Sequence, residues 1–257
     1  MGKIIITSDT TVKPITTMGF YAGTCWGADT SSAEKNYKRG LDCIQSGHGR
    51  VMELPQVYMI IKGYSARTMR QLYTHIGGAP TRLQASTRYI EYGNFDYITP
   101  PSIAKDSAAQ ARYDSIMYQI SEAYKDLEVM DIPKEDCGLI LPLGMTSDII
   151  HRTNLRQLVD MSHERLCSRV YWEFRDLMKD LMKALSEYSD EWKYLVENYF
   201  KPKCELYGYC SEKNSCKRMP KKEDIDKDKD LAQKVKKVAA VPGFMESLKK
   251  LIRSYMS

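Results

Sequence analysis

The chain has 257 residues, 43% of them hydrophobic and 28% charged, which is the composition of an ordinary globular protein of one large domain or two small ones. Disordered, collagen-like and disulfide-stapled classes are excluded, and a chain this long buries enough surface to hold a core without a structural metal. The 38 Lys and Arg residues against 33 Asp and Glu leave a net charge of +5, which suits anionic small molecules as well as nucleic acid.

In chain order, Ile4-Ile5-Ile6 within 3–7 predicts a short strand. This run and Val57 to Ile61 are the longest apolar stretches, far short of the ~18 residues that suggest a membrane span, so a cytoplasmic protein with no membrane partner is expected. Residues 31–46 predict a helix with Tyr37, Leu41 and Ile44 on one face. The β-branched and aromatic residues of 51–62 predict a strand with an irregular start at Pro55, ended by Gly63. Ser65 then caps a predicted helix whose buried face is Met69, Leu72, Tyr73 and Ile76, with Thr74 and His75 in its last turn. Gly77-Gly78-Ala79-Pro80 stops that helix and opens a loop.

Ser102 opens a longer predicted helix with Tyr113, Ile116, Ile120, Tyr124 and Leu127 in register. A second long helix is expected over 154–185, with the stripe Leu158, Leu166, Val170, Phe174, Leu177, Leu181 and Leu185, and both helices read as core elements. Residues 221–230 hold four lysines and five acids and read as a solvated connector; from Val241 onward Phe244, Leu248 and Ile252 lie at helical spacing. Two long helices beside a few short strands, without regular β-α alternation, indicate the α+β class.

Seven cysteines, scattered and odd in number, are expected to be reduced thiols. Cys204, Cys210 and Cys216 cluster, but their wide spacing and the lack of a nearby histidine differ from a structural zinc site, so no metal is expected.

Two segments are more polar than a core requires. The first runs from Arg70 and Gln71 through Thr74, His75, Arg82, Gln84, Ser86, Thr87 and Arg88 to Tyr89, where a helix end gives way to a loop. Arginines beside hydroxyls and free backbone N–H groups are what a phosphate needs, because a guanidinium fork binds its oxygens bidentately. The second is the start of the long helix, where Arg156, Asp160 and Glu164 follow at intervals of four and Arg165 and Arg169 share another face. No Gly-x-Ser-x-Gly elbow, Gly-x-Gly-x-x-Gly loop or Walker loop is present, so neither a serine nucleophile nor a Rossmann or P-loop site is expected. The pair His163 and Cys167 is a spacing any amphipathic helix produces, and Cys167 reads as structural.

Together these segments resemble the flavin-dependent thymidylate synthases. The resemblance begins at Ser46-Gly-His48-Gly-Arg50-Val-Met-Glu53, continues through Ser65 to Tyr89, and is followed in order by Leu141-Pro142-Leu143, Asn154-x-Arg156, Arg165 and Trp172-Glu173. It departs from the family pattern in the signature. Thr74-His75-Ile76 stands where the family has Arg-His-Arg, and the nine residues before Ser86-Thr87-Arg88-Tyr89 make the loop two residues longer. Arg82 is the residue available to replace the missing charge; Gln84 stands at a family acidic position, Gly138 at a nucleotide-contacting arginine and Arg169 at a flavin-side histidine.

The resemblance implies a short-stranded sheet with long flanking helices, a catalytic region over 1–220, and a C-terminal appendage over 221–257. It implies reductive methylation of dUMP to dTMP with FAD, NADPH and methylenetetrahydrofolate, in a homotetramer that binds no nucleic acid. Carried over by position, Gln71, Gln84, Ser86, Thr87, Arg88 and Arg165 bind dUMP, with Arg165 the catalytic residue. His48, Arg50, Glu53, Thr74, His75, Ile76, Asn154, Arg156 and Asp160 line the FAD. Two alternatives stay open: alkylation of another pyrimidine nucleotide such as UMP, motivated by Gln84 and Gly138, and a non-catalytic nucleotide-binding relative that has lost FAD.

Overall fold

The structure is a computed structural model that describes residues 2–227. The chain divides into two compact units, one holding the residues up to Thr7 with Tyr58–Arg152, the other Ser8–Val57 with the residues from Thr153 onward. Strand β1 (Lys3–Ile6) leads into helices α1 (Pro14–Cys25) and α2 (Ala33–Gln45), then a 3-10 turn at Gly49–Glu53 and strand β2 (Gln56–Ser65). Helix α3 (Ala66–Leu72) is followed by β3 (Thr81–Gln84), α4 (Pro101–Ala104), α5 (Ser107–Val129), α6 (Lys134–Cys137) and β4 (Thr146–Asn154). Helices α7 (Leu155–Arg165), α8 (Trp172–Tyr188), α9 (Asp190–Tyr199), α10 (Lys203–Tyr207) and α11 (Lys222–Lys227) complete the described chain.

The first unit is built on a four-stranded sheet in the order β1-β2-β4-β3. β1 pairs antiparallel with β2, setting Ile4 opposite Ile61, and β3 pairs antiparallel with β4, setting Arg82 opposite His151. Val57, Met59 and Ile61 alternate inward along β2, the period-2 pattern of a half-buried strand. A second cluster packs Tyr92, Tyr124, Cys137 and Met145 against Phe95, Leu127 and Leu141.

In the second unit α1 and α2 cross at Gly19 and Gly40. A Cβ on Gly19 would stand 1.7 Å from the Asn36 carbonyl oxygen and one on Gly40 2.0 Å from that of Ile15, so only glycine permits this approach. The Glu191 carboxylate accepts from the backbone N–H groups of Ile15 at 2.6 Å and Thr16 at 2.9 Å, satisfying donors at the start of α1. Trp192 is fully buried, and its indole N–H donates to the Thr11 carbonyl at 2.7 Å.

Several sequence expectations need correction. The strand expected over 51–62 starts only at Gln56, because Gly49–Glu53 forms a 3-10 turn, and it runs past Gly63 to Ser65. The helix capped by Ser65 ends at Leu72, so Thr74 and His75 lie beyond it, and Tyr73 and Ile76 are exposed rather than buried. The helix expected from Ser102 is the short α4 and then α5, which starts at Ser107 with Asp106 as its cap and buries only Met117 and Tyr124. The helix expected over 154–185 is two, α7 and α8, parted by an irregular stretch. α1, β3 and β4 had no counterpart in the sequence reading. Within the expected connector, Lys222–Lys227 is helical; the helix expected from Val241 lies outside the described residues.

Candidate functional site

The expected site residues fall into two groups, one in each unit. In the first unit Gln71 sits half-buried on α3, and the Thr74 hydroxyl donates back to the Gln71 carbonyl at 2.7 Å. Beyond α3 the chain passes through Gly78 at φ +70° and Ala79 at φ +48°, the left-handed region that disfavours alanine. Arg152 holds this turn by donating to the Ala79 carbonyl at 2.9 Å and the Thr81 hydroxyl at 3.1 Å. His75 is half-buried and Ile76 is 77% exposed.

Arg82 turns back on the loop it follows. Its Nη2 donates to the carbonyls of Leu72, at 3.1 Å, and His75, and its guanidinium lies 5.1 Å from the centre of the Tyr73 ring. It therefore caps the C-terminal carbonyls of α3 and does not project as a replacement for the missing arginines. Its cross-strand partner His151 is 2% exposed, and burial with the nearby Arg82, His75 and Arg152 charges lowers its pKa to about 4. The Thr81 carbonyl opposes that shift as a hydrogen-bond acceptor, and both His151 Nδ1 and Arg82 Nε are buried with no partner.

At the end of β3, Gln84 is exposed and donates to the Ser147 hydroxyl at 3.0 Å. Ser86 Oγ accepts from the Arg88 backbone N–H at 3.1 Å, a serine turn that orders Ser86, Thr87 and Arg88 together. Arg88 Nε meets the Glu135 carboxylate at 2.7 Å, and Gly138 approaches Thr87 so closely that a Cβ there would stand 3.0 Å from the Thr87 Cβ. Glu135, Arg152 and His151 were missed as site neighbours; the only sequence signal was the charged run Lys134-Glu135-Asp136 after Pro133.

In the second unit Gly47 turns the chain at φ +81° after α2, leaving His48 and Arg50 exposed. Arg156 Nη1 meets Glu53 Oε1 at 2.6 Å, while Arg50 reaches Glu53 at 3.9 Å and keeps 90% of its side chain in solvent. The Arg156 guanidinium lies over Gly49, 3.7 Å from where a Cβ would stand. Asn154 caps α7 by accepting from the Gln157 N–H at 2.9 Å, and the Leu155 N–H donates to the Pro55 carbonyl at 3.0 Å. Asp160 is exposed one turn after Arg156 on the same face. Arg165, in the last turn of α7, places its guanidinium 4.7 Å from the Phe174 ring centre. Burial lowers its pKa and Glu164 opposes the shift, and arginine remains charged in this setting.

Arg169 pairs with Glu212 at 2.6 Å and so is engaged by the cysteine-bearing segment. Cys204, Cys210 and Cys216 are free thiols; burial pushes the Cys204 thiol up to about 11. No group of described residues is arranged to hold a metal, and no described helix is long and apolar enough to cross a membrane.

The donor sets suit large anionic ligands. A flavin dinucleotide needs cations for its pyrophosphate, and the second unit offers the exposed Arg50 and Arg156. The first unit offers hydroxyls and a guanidinium on one turn, Ser86 to Arg88, which suits a phosphate monoester.

The family model described as "Thymidylate synthase complementing protein" matches residues 8–189. A flavin-dependent thymidylate synthase of Nitratidesulfovibrio vulgaris is 30% identical over 192 residues, covering 71% of this chain and 76% of that protein. One from Pyrococcus furiosus is 28% identical over 172 residues, covering 65% of this chain and 70% of its own. Among solved structures, the Helicobacter pylori flavin-dependent thymidylate synthase complexed with FAD and dUMP superposes with a TM-score of 0.60 at 20% identity, covering 77% of this chain and all of that one.

Proposed function

This chain belongs to the thymidylate synthase complementing protein family, and on that premise we propose that it is a flavin-dependent thymidylate synthase, making dTMP from dUMP with methylenetetrahydrofolate, FAD and NADPH. The observation that carries the reading is that one family match, over 8–189, spans both groups of polar residues.

In this reading Ser86, Thr87 and Arg88 hold the dUMP phosphate, with Gln71 and Gln84 contributing to the nucleotide. Arg165 binds the pyrimidine, where a guanidinium that stays charged stabilises negative charge developing on the ring. His48, Arg50, Glu53, Asn154, Arg156 and Asp160, with Thr74, His75 and Ile76 of the signature loop, hold the FAD. When bound, FAD supplies the redox chemistry that passes reducing equivalents from NADPH to the transferred carbon. The protein's own residues orient the nucleotide, exclude water and stabilise charge, so no cysteine or serine nucleophile is required.

The active assembly is a homotetramer in the cytoplasm, with residues 1–220 as its catalytic region and no nucleic acid or membrane as partner. Its apolar solvent-facing residues on and after α5, Tyr118, Val129 and Met130, support a further interface.

The test is an absorption spectrum of the purified protein before and after adding FAD, followed by titration with dUMP. Flavin bands that shift on dUMP addition are expected, together with dTMP formation when folate and NADPH are supplied. A protein that takes up no FAD would overturn the reading.

A further inference from the structure

Two exposed charge pairs and one close packing contact join the turn 86–91 to the segment 134–138. Arg88 Nε meets Glu135 Oε2 at 2.7 Å, Lys134 Nζ meets Glu91 Oε1 at 3.0 Å, and Gly138 packs against Thr87. Glu135 lies in α6, one turn anchored by the buried Cys137 of the aromatic cluster and ordered by the Cys137 N–H to the Pro133 carbonyl at 3.0 Å. The carboxylate is thus attached to packed structure, whereas Arg88 projects from a solvent-facing turn with 66% of its side chain exposed.

The atom that Glu135 engages matters. A free arginine side chain samples many rotamers, and a ligand that uses it has to immobilise it. Glu135 takes Nε, and among the described residues neither terminal nitrogen of Arg88 has a partner. An ion pair closest to Nε holds the guanidinium beside Glu135 while leaving the Nη1 and Nη2 donors for an incoming anion. The pair is exposed on both sides, so it screens easily and adds little to fold stability.

We propose that Glu135 is a positioning residue for the nucleotide phosphate, orienting Arg88 through Nε so that its two terminal nitrogens are presented to the phosphate oxygens. The proposal rests on the reading that Arg88 binds the dUMP phosphate, and it adds a residue outside the signature loop to that site. Glu135 acts through the ion pair it makes with Arg88. Neither Gln nor Ala keeps that pair.

The test is titration of the flavin-loaded protein with dUMP and with deoxyuridine, which lacks the phosphate, for the wild type, Glu135→Ala and Glu135→Gln. Glu135→Ala and Glu135→Gln are each expected to raise the dUMP Kd about three- to tenfold, and neither to change deoxyuridine binding. A loss shared equally by deoxyuridine would mean that α6 is only structural and would overturn the proposal. Unchanged dUMP affinity in Glu135→Ala, or tighter dUMP binding in Glu135→Gln, would also overturn it, the latter by showing that the carboxylate competes with the phosphate. Wild-type protein that binds flavin but shows the same affinity for dUMP and deoxyuridine would instead sink the phosphate reading of Arg88, and the proposal with it.

Discussion

The two groups of site residues are held in different ways. In the second unit four of them stand on one helix: Asn154 is the cap of α7, Arg156 and Asp160 share one face, and Arg165 closes the same helix over Phe174, while His48, Arg50 and Glu53 stand on the turn before β2. Those of the first unit stand on irregular chain, and the arginines around them point back at the protein. Arg82 takes the carbonyls of Leu72 and His75, Arg152 takes that of Ala79, and Arg88 takes Glu135. A helix places side chains through its own backbone hydrogen bonds, so a pair such as Arg156 with Glu53 is not needed to order it. A long loop has few such bonds, so it uses its cations to order itself. The loop that lacks the outer signature arginines is therefore also the region where changing a charge most disturbs structure, while on α7 the proposed function predicts that the same change acts mainly on activity.

The sharpest test of that contrast is Arg165→Ala. In the proposed function Arg165 acts on the reacting ring, which predicts a fall in kcat of about 10²-fold or more, with a stability loss of about 1 kcal/mol from the lost contact with Phe174. Steady-state turnover beside urea unfolding separates the two effects. A variant that unfolds, or one that turns over normally, would remove α7 from the functional side of the comparison.

Next in size is the acid response of the first unit. The folded His151 has a pKa of about 4, below its ordinary 6.5, through burial and the surrounding charges of Arg82, His75 and Arg152. Above pH 6.5 the imidazole is neutral in both states and contributes no pH dependence. As pH falls from 6.5 toward 4 the unfolded chain takes up a proton that the folded chain excludes, so stability drops across that window, by up to about 3 kcal/mol. Urea unfolding at pH 7, 5.5 and 4 measures it, with His151→Gln expected to flatten the profile. Parallel profiles for the two proteins would show that the buried histidine does not couple the loop to the sheet.

How far the sequence could be read follows the same division. β2 was legible because Val57 to Ile61 is a run of mainly β-branched and aromatic residues, and α2 because Tyr37, Leu41 and Ile44 lie at helical spacing, Ile44 on its buried side. β4 was invisible because its inward residues are Ser147, Ile149, His151 and Thr153, three of them polar, while apolar Ile150 faces outward. α1 was missed because Gly19, Gly23 and three threonines weaken its local propensity, and its close crossing with α2 requires those glycines at positions no single-helix pattern reveals. The candidate residues on α7 are read from short motifs at fixed spacing. Glu135 is not, because its role depends on a tertiary contact with Arg88, 47 positions earlier in the chain.

The smallest expected effect bears on Arg82, where structure and binding are least separable. Arg82→Met leaves the Leu72 and His75 carbonyls without their donor and removes the cation above Tyr73, which predicts a loss of about 1.5–2 kcal/mol in stability. The same change frees the loop carrying Thr74, His75 and Ile76, so flavin affinity should weaken about tenfold, the cost of ordering a few loop residues on binding. Arg82→Lys restores the charge but has no planar group to lie on Tyr73, and it should recover only part of either loss. dUMP affinity should change less than flavin affinity, because the turn 86–91 is tied to α6 by its own ion pairs. Flavin absorbance titrations on the three proteins, with dUMP added last, measure both ligands in one experiment. A folded Arg82→Met protein with wild-type flavin affinity would mean that the self-ordering of this loop serves the fold alone, and that the flavin is held by the residues of the second unit.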